Sequence, residues 1–124
     1  MVFPPFILYR KVVIKMIRVE GNKISIVQHD NGILNFKLDN KDLVDGDKVY
    51  FLVKEEYSQN YYNIEIIVDT FENGEAKIFI SEQDTSIEAG TYKYAICVHT
   101  VDGLISTIVS GNLKIIEGVH HELE

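Results

Sequence analysis

Several features that would identify a function are missing or scarce in this sequence. It contains a single cysteine, at position 97, which cannot form an internal disulfide and therefore excludes a disulfide-stapled scaffold. No apolar run approaches the roughly 20 residues that a membrane-spanning helix needs. Lys and Arg do not cluster, and the net charge of −7 argues against a nucleic-acid-binding surface. Glycine-rich phosphate loops and G-x-S-x-G turns are also absent.

The composition is that of one globular domain. A chain of 124 residues with 46% hydrophobic and 25% charged residues can bury a core without help from disulfides or metals. At the N-terminus, Pro4 and Pro5 interrupt a short apolar run, and the basic residues follow that run instead of preceding it as in a signal peptide. We predict an irregular extension over 1–11, a β-sandwich domain over 12–117 and a flexible tail over 118–124. Met16 is an alternative start, because the regular pattern begins there.

Alternation of apolar and polar residues dominates the rest of the chain and predicts half-buried strands. The first strand is expected around Val12 to Val19, and six further segments alternate before a last one that runs from Leu104 to Ile116. Each segment places one set of side chains toward a core. The residues predicted to form that core are Val49, Phe51, Ile64, Ile66, Ile78, Tyr92, Tyr94 and Ile96.

Turn signals separate these segments. DNG at 30–32, ENG at 72–74 and DG at 102–103 supply the positive φ angles of tight turns and predict antiparallel hairpins. SEQDTSI at 81–87 predicts a short helical turn between sheets, and Gly111 predicts a bulge or a bend in the last strand. About seven strands at this spacing favour an all-β fold, an immunoglobulin-like antiparallel sandwich.

Cys97 and His99, two positions apart, could form a reactive pair or could be two side chains on one face of a strand. The even positions of 92–99 are apolar, so both residues are expected on the outward face of one strand, with Cα atoms about 6.5–7 Å apart. No group is evident that would activate the thiol or orient the imidazole. His120 and His121 lie in the tail, and Asp39, Asp42, Asp45 and Asp47 lack the spacing of a calcium loop. We therefore expect no catalytic residues, no cofactor and no metal.

Two sets of residues are candidates for binding. The first is an outward apolar patch on two strands that neighbour each other in an immunoglobulin-like order, and such patches often mark protein interfaces. Its members are Tyr50, Leu52, Ala95 and Cys97. The second is a tyrosine- and amide-rich loop that could recognise a sugar or a protein partner. Its members are Tyr57, Asn60, Tyr61 and Tyr62.

The segment 74–115 carries a series of spaced landmarks. They are Gly74-x-Ala76, Ser81-x-x-Asp84-Thr85, Gly90-Thr91-Tyr92-x-Tyr94, Asp102-Gly103 and Ser110-Gly111-x-Leu113. With GDKVYFLVKEE at 46–56, this pattern resembles the immunoglobulin-like N-terminal domain of tailed-phage baseplate upper proteins and related prophage tail modules, over about 46–116. The chain is shorter than the multi-domain baseplate proteins, and residues 1–23 have no counterpart in them.

The resemblance implies a non-enzymatic structural module of the virion tail. Such a module would be made in the host cytoplasm, dock on other tail or baseplate proteins, and assemble with copies of itself, without binding nucleic acid or a membrane. The alternative is a cell-surface or carbohydrate-binding sandwich that uses the loop of Tyr57, Tyr61 and Tyr62.

Overall fold

The computed structural model describes residues 17–39 and 41–118, which form eight strands and one helical turn. The elements are β1 (Ile17–Glu20), β2 (Lys23–Val27), β3 (Gly32–Phe36), β4 (Lys48–Lys54), β5 (Ile64–Val68), β6 (Ala76–Ile80), α1 (Glu82–Thr85), β7 (Gly90–His99) and β8 (Ile105–Ile116). No helix within the described ranges is long and apolar enough to cross a membrane. The predicted extension over 1–11 lies outside these ranges, and Gly118, the first residue of the predicted tail, is buried.

The strands form two sheets. The larger has the order β1-β2-β8-β7-β4-β5, and the smaller pairs β3 with β6. Strands β4, β7 and β8 correspond to the three-stranded sheet of the immunoglobulin fold, β5 extends it as in variable-type domains, and β3 and β6 face it. Pairing is antiparallel except between β2 and β8, which run parallel. The predicted all-β immunoglobulin-like sandwich is confirmed.

The core lies between the two sheets and follows the predicted alternation. Seven of the eight residues predicted for it are buried, and Phe51 and Ile96, which face each other on β4 and β7, have no exposed surface. Ile66 packs against the core but is only partly buried, so it is less buried than predicted. Its strand β5 is the last in the larger sheet and has a pairing partner on one side only.

Two of the three predicted hairpins are instead connections between the sheets. The turn at 30–32 leads from β2 in the larger sheet to β3 in the smaller one, and the turn at 72–74 leads from β5 to β6. At the second site a tight turn does form, with Asn73 and Gly74 both at positive φ, but β5 and β6 do not pair. Only the turn at 102–103 joins hydrogen-bonded neighbours, β7 and β8.

The Ser-x-x-Asp-Thr motif forms the predicted helical turn between the sheets. Ser81 Oγ accepts a hydrogen bond from Asp84 N at 3.1 Å, and Asp84 Oδ2 accepts one from Ser81 N at 2.9 Å. This reciprocal capping box satisfies backbone donors that α1 would otherwise leave unpaired. Thr85 is buried and donates through Oγ1 to the carbonyl of Asp30 at 2.6 Å, so α1 is attached to the connection between β2 and β3.

The tyrosines of the Tyr-x-Tyr motif fasten β7 to its surroundings. Tyr92 donates through its hydroxyl to the carbonyl of Glu88, four residues upstream, at 2.6 Å. This is the tyrosine corner of immunoglobulin-like sandwiches. Tyr94 donates to the carbonyl of Asn22, in the turn between β1 and β2, at 2.6 Å. Burial raises the pKa of both phenols, so both hydroxyls remain donors at neutral pH.

The bulge in β8 lies elsewhere than predicted. Pairing continues through Gly111, which faces Tyr94, whereas the register shifts further along the hairpin, where Ile96 faces Val109 and Cys97 faces Thr107. Ile108 is therefore the extra residue. Gly111 is needed for a different reason, because a Cβ atom there would lie 2.3 Å from the carbonyl oxygen of Asn22.

Candidate functional site

The predicted apolar patch is assembled on the outer face of the larger sheet. Tyr50 on β4 lies opposite Cys97 on β7, and Leu52 lies opposite Ala95, so the four residues form two adjacent cross-strand pairs. All four side chains are half-buried. This arrangement follows from period-two alternation, because strands that send Val49, Phe51 and Val53 inward must send the residues between them outward. Its use for binding remains a prediction.

A groove joins this patch to the tyrosine loop. It has a volume of about 360 Å³ and lies above Leu52, Ala95 and Cys97. The other side chains around it come from the end of β4, the following loop, β7 and β8, and include Lys54, Tyr57, Tyr62, Lys93, Thr107 and Ser110. In the sequence, patch and loop are separate candidates. The structure brings Tyr57 and Tyr62 to the patch, whereas Tyr50, Asn60 and Tyr61 do not line the groove.

The loop over 55–63 is tied down by its own amide side chains. Asn63 Oδ1 accepts hydrogen bonds from the backbone N–H of Glu55 at 3.0 Å and from Gln59 Nε2 at 2.8 Å. Gln59 Nε2 also donates to the carbonyl of Tyr61 at 2.9 Å. The amides of Gln59 and Asn63 are therefore used to hold the loop, and the tyrosines are left to face outward.

Two lysines stand at the junction of patch and loop. Lys54 on β4 lies directly opposite Lys93 on β7. The ammonium group of Lys54 lies 5.1 Å from the centroid of the Tyr62 ring, and that of Lys93 lies 5.7 Å from the centroid of the Tyr57 ring. Both distances are within the range of cation–π attraction. One ring face of each tyrosine is thus covered by an ammonium group.

Cys97 and His99 make their contacts with different neighbours. The sulfur of Cys97 lies 3.5 Å from Thr107 Oγ1, and the imidazole of His99 lies 4.4 Å from the ring centre of Tyr50. Among the described residues the thiol and the imidazole are not hydrogen-bonded to each other. These contacts are those of two outward residues on one strand.

Replacement of Cys97 by Ser is expected to leave the fold intact. The side chain is half-buried and its polar neighbour is a hydroxyl, so the change in unfolding free energy should stay within about 1 kcal/mol. Urea unfolding of the two proteins measures it. A loss much larger than this, or a thiol that reacts with iodoacetamide far faster than free cysteine at neutral pH, would contradict the interpretation of Cys97 as an unreactive strand residue.

The four aspartates considered for calcium do not act as a group. Asp39, Asp42 and Asp45 are exposed, whereas Asp47 is fully buried. No three His, Cys, Asp or Glu side chains within 17–39 and 41–118 gather closely enough to hold a metal. His120 and His121 lie outside the described residues. Asp47 instead accepts hydrogen bonds from two backbone N–H groups, those of Val44 and Val101.

The tip of the β7–β8 hairpin carries exposed apolar residues that the alternation pattern does not predict. Val101, Leu104 and Ile105 are 66%, 65% and 69% exposed at the turn between β7 and β8, and all residues from 101 to 108 are exposed. Alternation predicts which side chains share a face, but it does not tell how far the facing sheet extends along a long hairpin. One feature of the sequence does indicate exposure at this tip. Leu104 and Ile105 are adjacent apolar residues directly after a tight turn, so one of the two had to face outward.

Comparisons with known proteins leave the family open. No protein-family model matches this chain, and no curated protein matches it in sequence. Among solved structures, a chain titled "Structure or murine CRIg" aligns with a TM-score of 0.41 and 10% identity, covering 84% of this chain and 98% of that chain. The assignment of an immunoglobulin-like sandwich rests on the strand order given above.

Proposed function

We propose that this protein is a non-enzymatic docking module of a phage or prophage tail assembly, of the baseplate type, and that it binds protein partners through the outer face of its larger sheet. The observation that carries the docking role is the paired patch of Tyr50, Leu52, Ala95 and Cys97 beside an open groove. The tail context is supported by the resemblance over about 46–116.

The energetics of the patch suit a modest interface. Burying one fully exposed large apolar side chain contributes roughly 1.5–3 kcal/mol, and the half-buried Leu52 and Tyr50 can each contribute a part of this, which suits a weak dimer or a weakly docked complex. The exposed tyrosines beside them are residue types enriched at interfaces. Polar groups at the rim, among them Thr107 and Ser110, can pair with a partner's backbone.

Replacement of Leu52 by Asp is expected to weaken docking while the domain stays folded. A carboxylate placed among apolar contacts must lose its hydration when the partner binds, which should reduce affinity at least tenfold. Analytical ultracentrifugation measures self-association, and co-purification with the products of neighbouring tail genes measures docking.

Phe79→Asp is the matched control for this substitution. Phe79 lies on the outer face of the smaller sheet and is 53% exposed, so its replacement introduces the same charge on another apolar surface. A strictly monomeric parent protein whose binding to tail partners survives Leu52→Asp would show that this face is not the docking surface.

A second candidate function is binding of a carbohydrate at the tyrosine loop. The observation in its favour is the exposure of Tyr57, Tyr61 and Tyr62, of which Tyr57 is 75% exposed. Titration with neutral oligosaccharides, followed by tyrosine fluorescence, tests it. Binding that is lost in Tyr57→Ala and Tyr62→Ala but kept in Leu52→Asp would favour this function over protein docking. Tail or lysis genes beside the coding sequence would favour the tail assignment.

A further inference from the structure

We infer that the groove accepts an extended acidic segment of the partner protein, with a carboxylate placed between Lys54 and Lys93. This inference rests on the proposed docking function and names the chemistry of the partner. It is based on the two lysines that line the groove, since an apolar docking surface alone would not require them.

Lys54 and Lys93 each lie over a tyrosine ring but have no carboxylate partner among the described residues. They face each other across β4 and β7, and like charges directly opposite on one face of a sheet repel. Neither lysine forms an ion pair within the described part of the chain. The salt bridge found there joins two other residues, Lys77 and Glu72, at 3.2 Å. Both side chains are half-buried, in a protein whose net charge is −7. A bound carboxylate would convert this repulsion into two attractions.

The surroundings of the lysines match a peptide. Leu52, Ala95 and Cys97 give an apolar surface for a neighbouring side chain of the bound segment, and Thr107 and Ser110 bring hydroxyls that can donate to its backbone carbonyls. A volume of about 360 Å³ is within the range of ligand pockets. An acidic residue followed by an apolar one would therefore satisfy both parts of the groove.

Glu65 gives the bound segment a direction. It lies opposite Leu52 on the outer face, on the β5 side of the patch, and is exposed. Its carboxylate repels an acidic residue from the apolar part of the groove, while the two lysines attract it to their end. The acidic residue of the partner should therefore sit over β4 and β7 near the tyrosine loop.

A neutral sugar fits this groove less well than a peptide does. Sugars bind proteins by stacking on open aromatic faces, and the ammonium groups leave only one free face on each of Tyr57 and Tyr62. Gln59 and Asn63, which could have supplied amide contacts, are engaged in holding the loop. Two lysines in a protein of net charge −7 are also too few for nucleic-acid binding.

The test uses two labelled decapeptides and the full chain. One peptide alternates Glu with Leu and Ser, and the other has Gln in place of every Glu. Fluorescence anisotropy should show about tenfold tighter binding of the acidic peptide, and higher salt should weaken that binding. Lys54→Met and Lys93→Met should each weaken it about three- to fivefold, because each removes one partly exposed charge pair.

Matched variants distinguish the loss of a charge in the groove from a general effect of substituting a lysine. Lys37→Met removes an exposed lysine outside the groove and should change affinity less than about twofold. Lys54→Arg with Lys93→Arg should keep the binding that the Met variants lose, while Glu65→Gln should strengthen it about twofold. Equal affinity for the two peptides, or equal loss in Lys37→Met and the groove variants, would overturn the inference.

The remaining outcomes distinguish this inference from the proposed function. If Leu52→Asp abolishes docking on tail partners but the two Lys→Met variants do not affect it, docking stands and the acidic segment is wrong. If neither change affects docking, both proposals fail. If oligogalacturonate of equal charge binds as tightly as the acidic peptide with the same lysine dependence, the ligand is an anionic saccharide and the peptide assignment is overturned.

Discussion

Replacement of Phe51 by Ala is expected to lower the free energy of unfolding by about 3–5 kcal/mol. Phe51 has no exposed surface and lies on β4, between Ile66 on β5 and Ile96 on β7. Its ring centre is 5.8 Å from that of Tyr94. Truncation would remove apolar contacts on several sides and leave a cavity that a sheet interior cannot easily close. Urea unfolding followed by circular dichroism measures the loss.

Phe79→Ala provides the comparison for this substitution. It removes the same atoms from a side chain that is about half exposed, on the outer face of β6, so its cost should be roughly 1 kcal/mol. A Phe51→Ala protein as stable as Phe79→Ala, or a far-UV spectrum dominated by helix, would contradict the assignment of Phe51 to the sandwich core.

Replacement of Asp47 by Ala is expected to cost about 2–3 kcal/mol at pH 7. Its carboxylate is buried and accepts hydrogen bonds from the N–H of Val44 at 3.0 Å and from the N–H of Val101 at 2.8 Å. It thereby joins the connection before β4 to the turn between β7 and β8. Asp47→Asn keeps the shape but can offer only one accepting oxygen, so it should recover part of the loss.

The contribution of Asp47 should disappear in acid. The hydrogen bond from Val44, with a smaller contribution from that of Val101, lowers the pKa of Asp47 in the folded protein, although burial opposes this effect. The unfolded chain has an Asp pKa of about 3.9. The stabilisation is therefore present above about pH 4 and is lost as the pH falls through the lower pKa of the folded state.

Unfolding free energies at intervals between pH 7 and pH 2 test this dependence. The difference between the parent protein and Asp47→Asn should be constant down to about pH 4 and should narrow below it. Using the difference cancels the titration of carboxylates that both proteins share. A gap that stays constant to pH 2, or widens there, would show that the ionised carboxylate of Asp47 does not hold these loops.

Alternation predicted the parts of this structure that depend on single strands. It placed Phe51 and Ile96 inside and Leu52 and Ala95 outside, since a pleated strand allows no other arrangement once one face is buried. It also predicted that the outward residues of β4 and β7 would be neighbours, because the immunoglobulin-like order brings these strands together. The incomplete burial of Ile66 could not be predicted in this way, since it depends on the place of β5 in the sheet.

Features that depend on relations between strands were predicted poorly. The turn signals at 30–32 and 72–74 indicate a change of direction, but the same local conformation serves a hairpin and a connection between sheets. Gly111 signalled a special backbone position, yet its cause is the approach of Asn22, distant in the sequence. The joining of patch and loop into one groove depends on the path of 55–63, which is set by hydrogen bonds of Gln59 and Asn63.

The parallel pairing of β2 with β8 determines when the sandwich can be completed. It joins Ile24 to Leu113 and Val27 to Ile116, so strands from opposite ends of the sequence must meet. In the larger sheet, the hairpin of β1 and β2 is connected to β7 and β4 only through β8. During synthesis, the edge of β2 that pairs with β8 therefore stays unpaired until residues 113–116 have left the ribosome. Such late closure makes folding slow and leaves the nascent chain open to aggregation in the meantime.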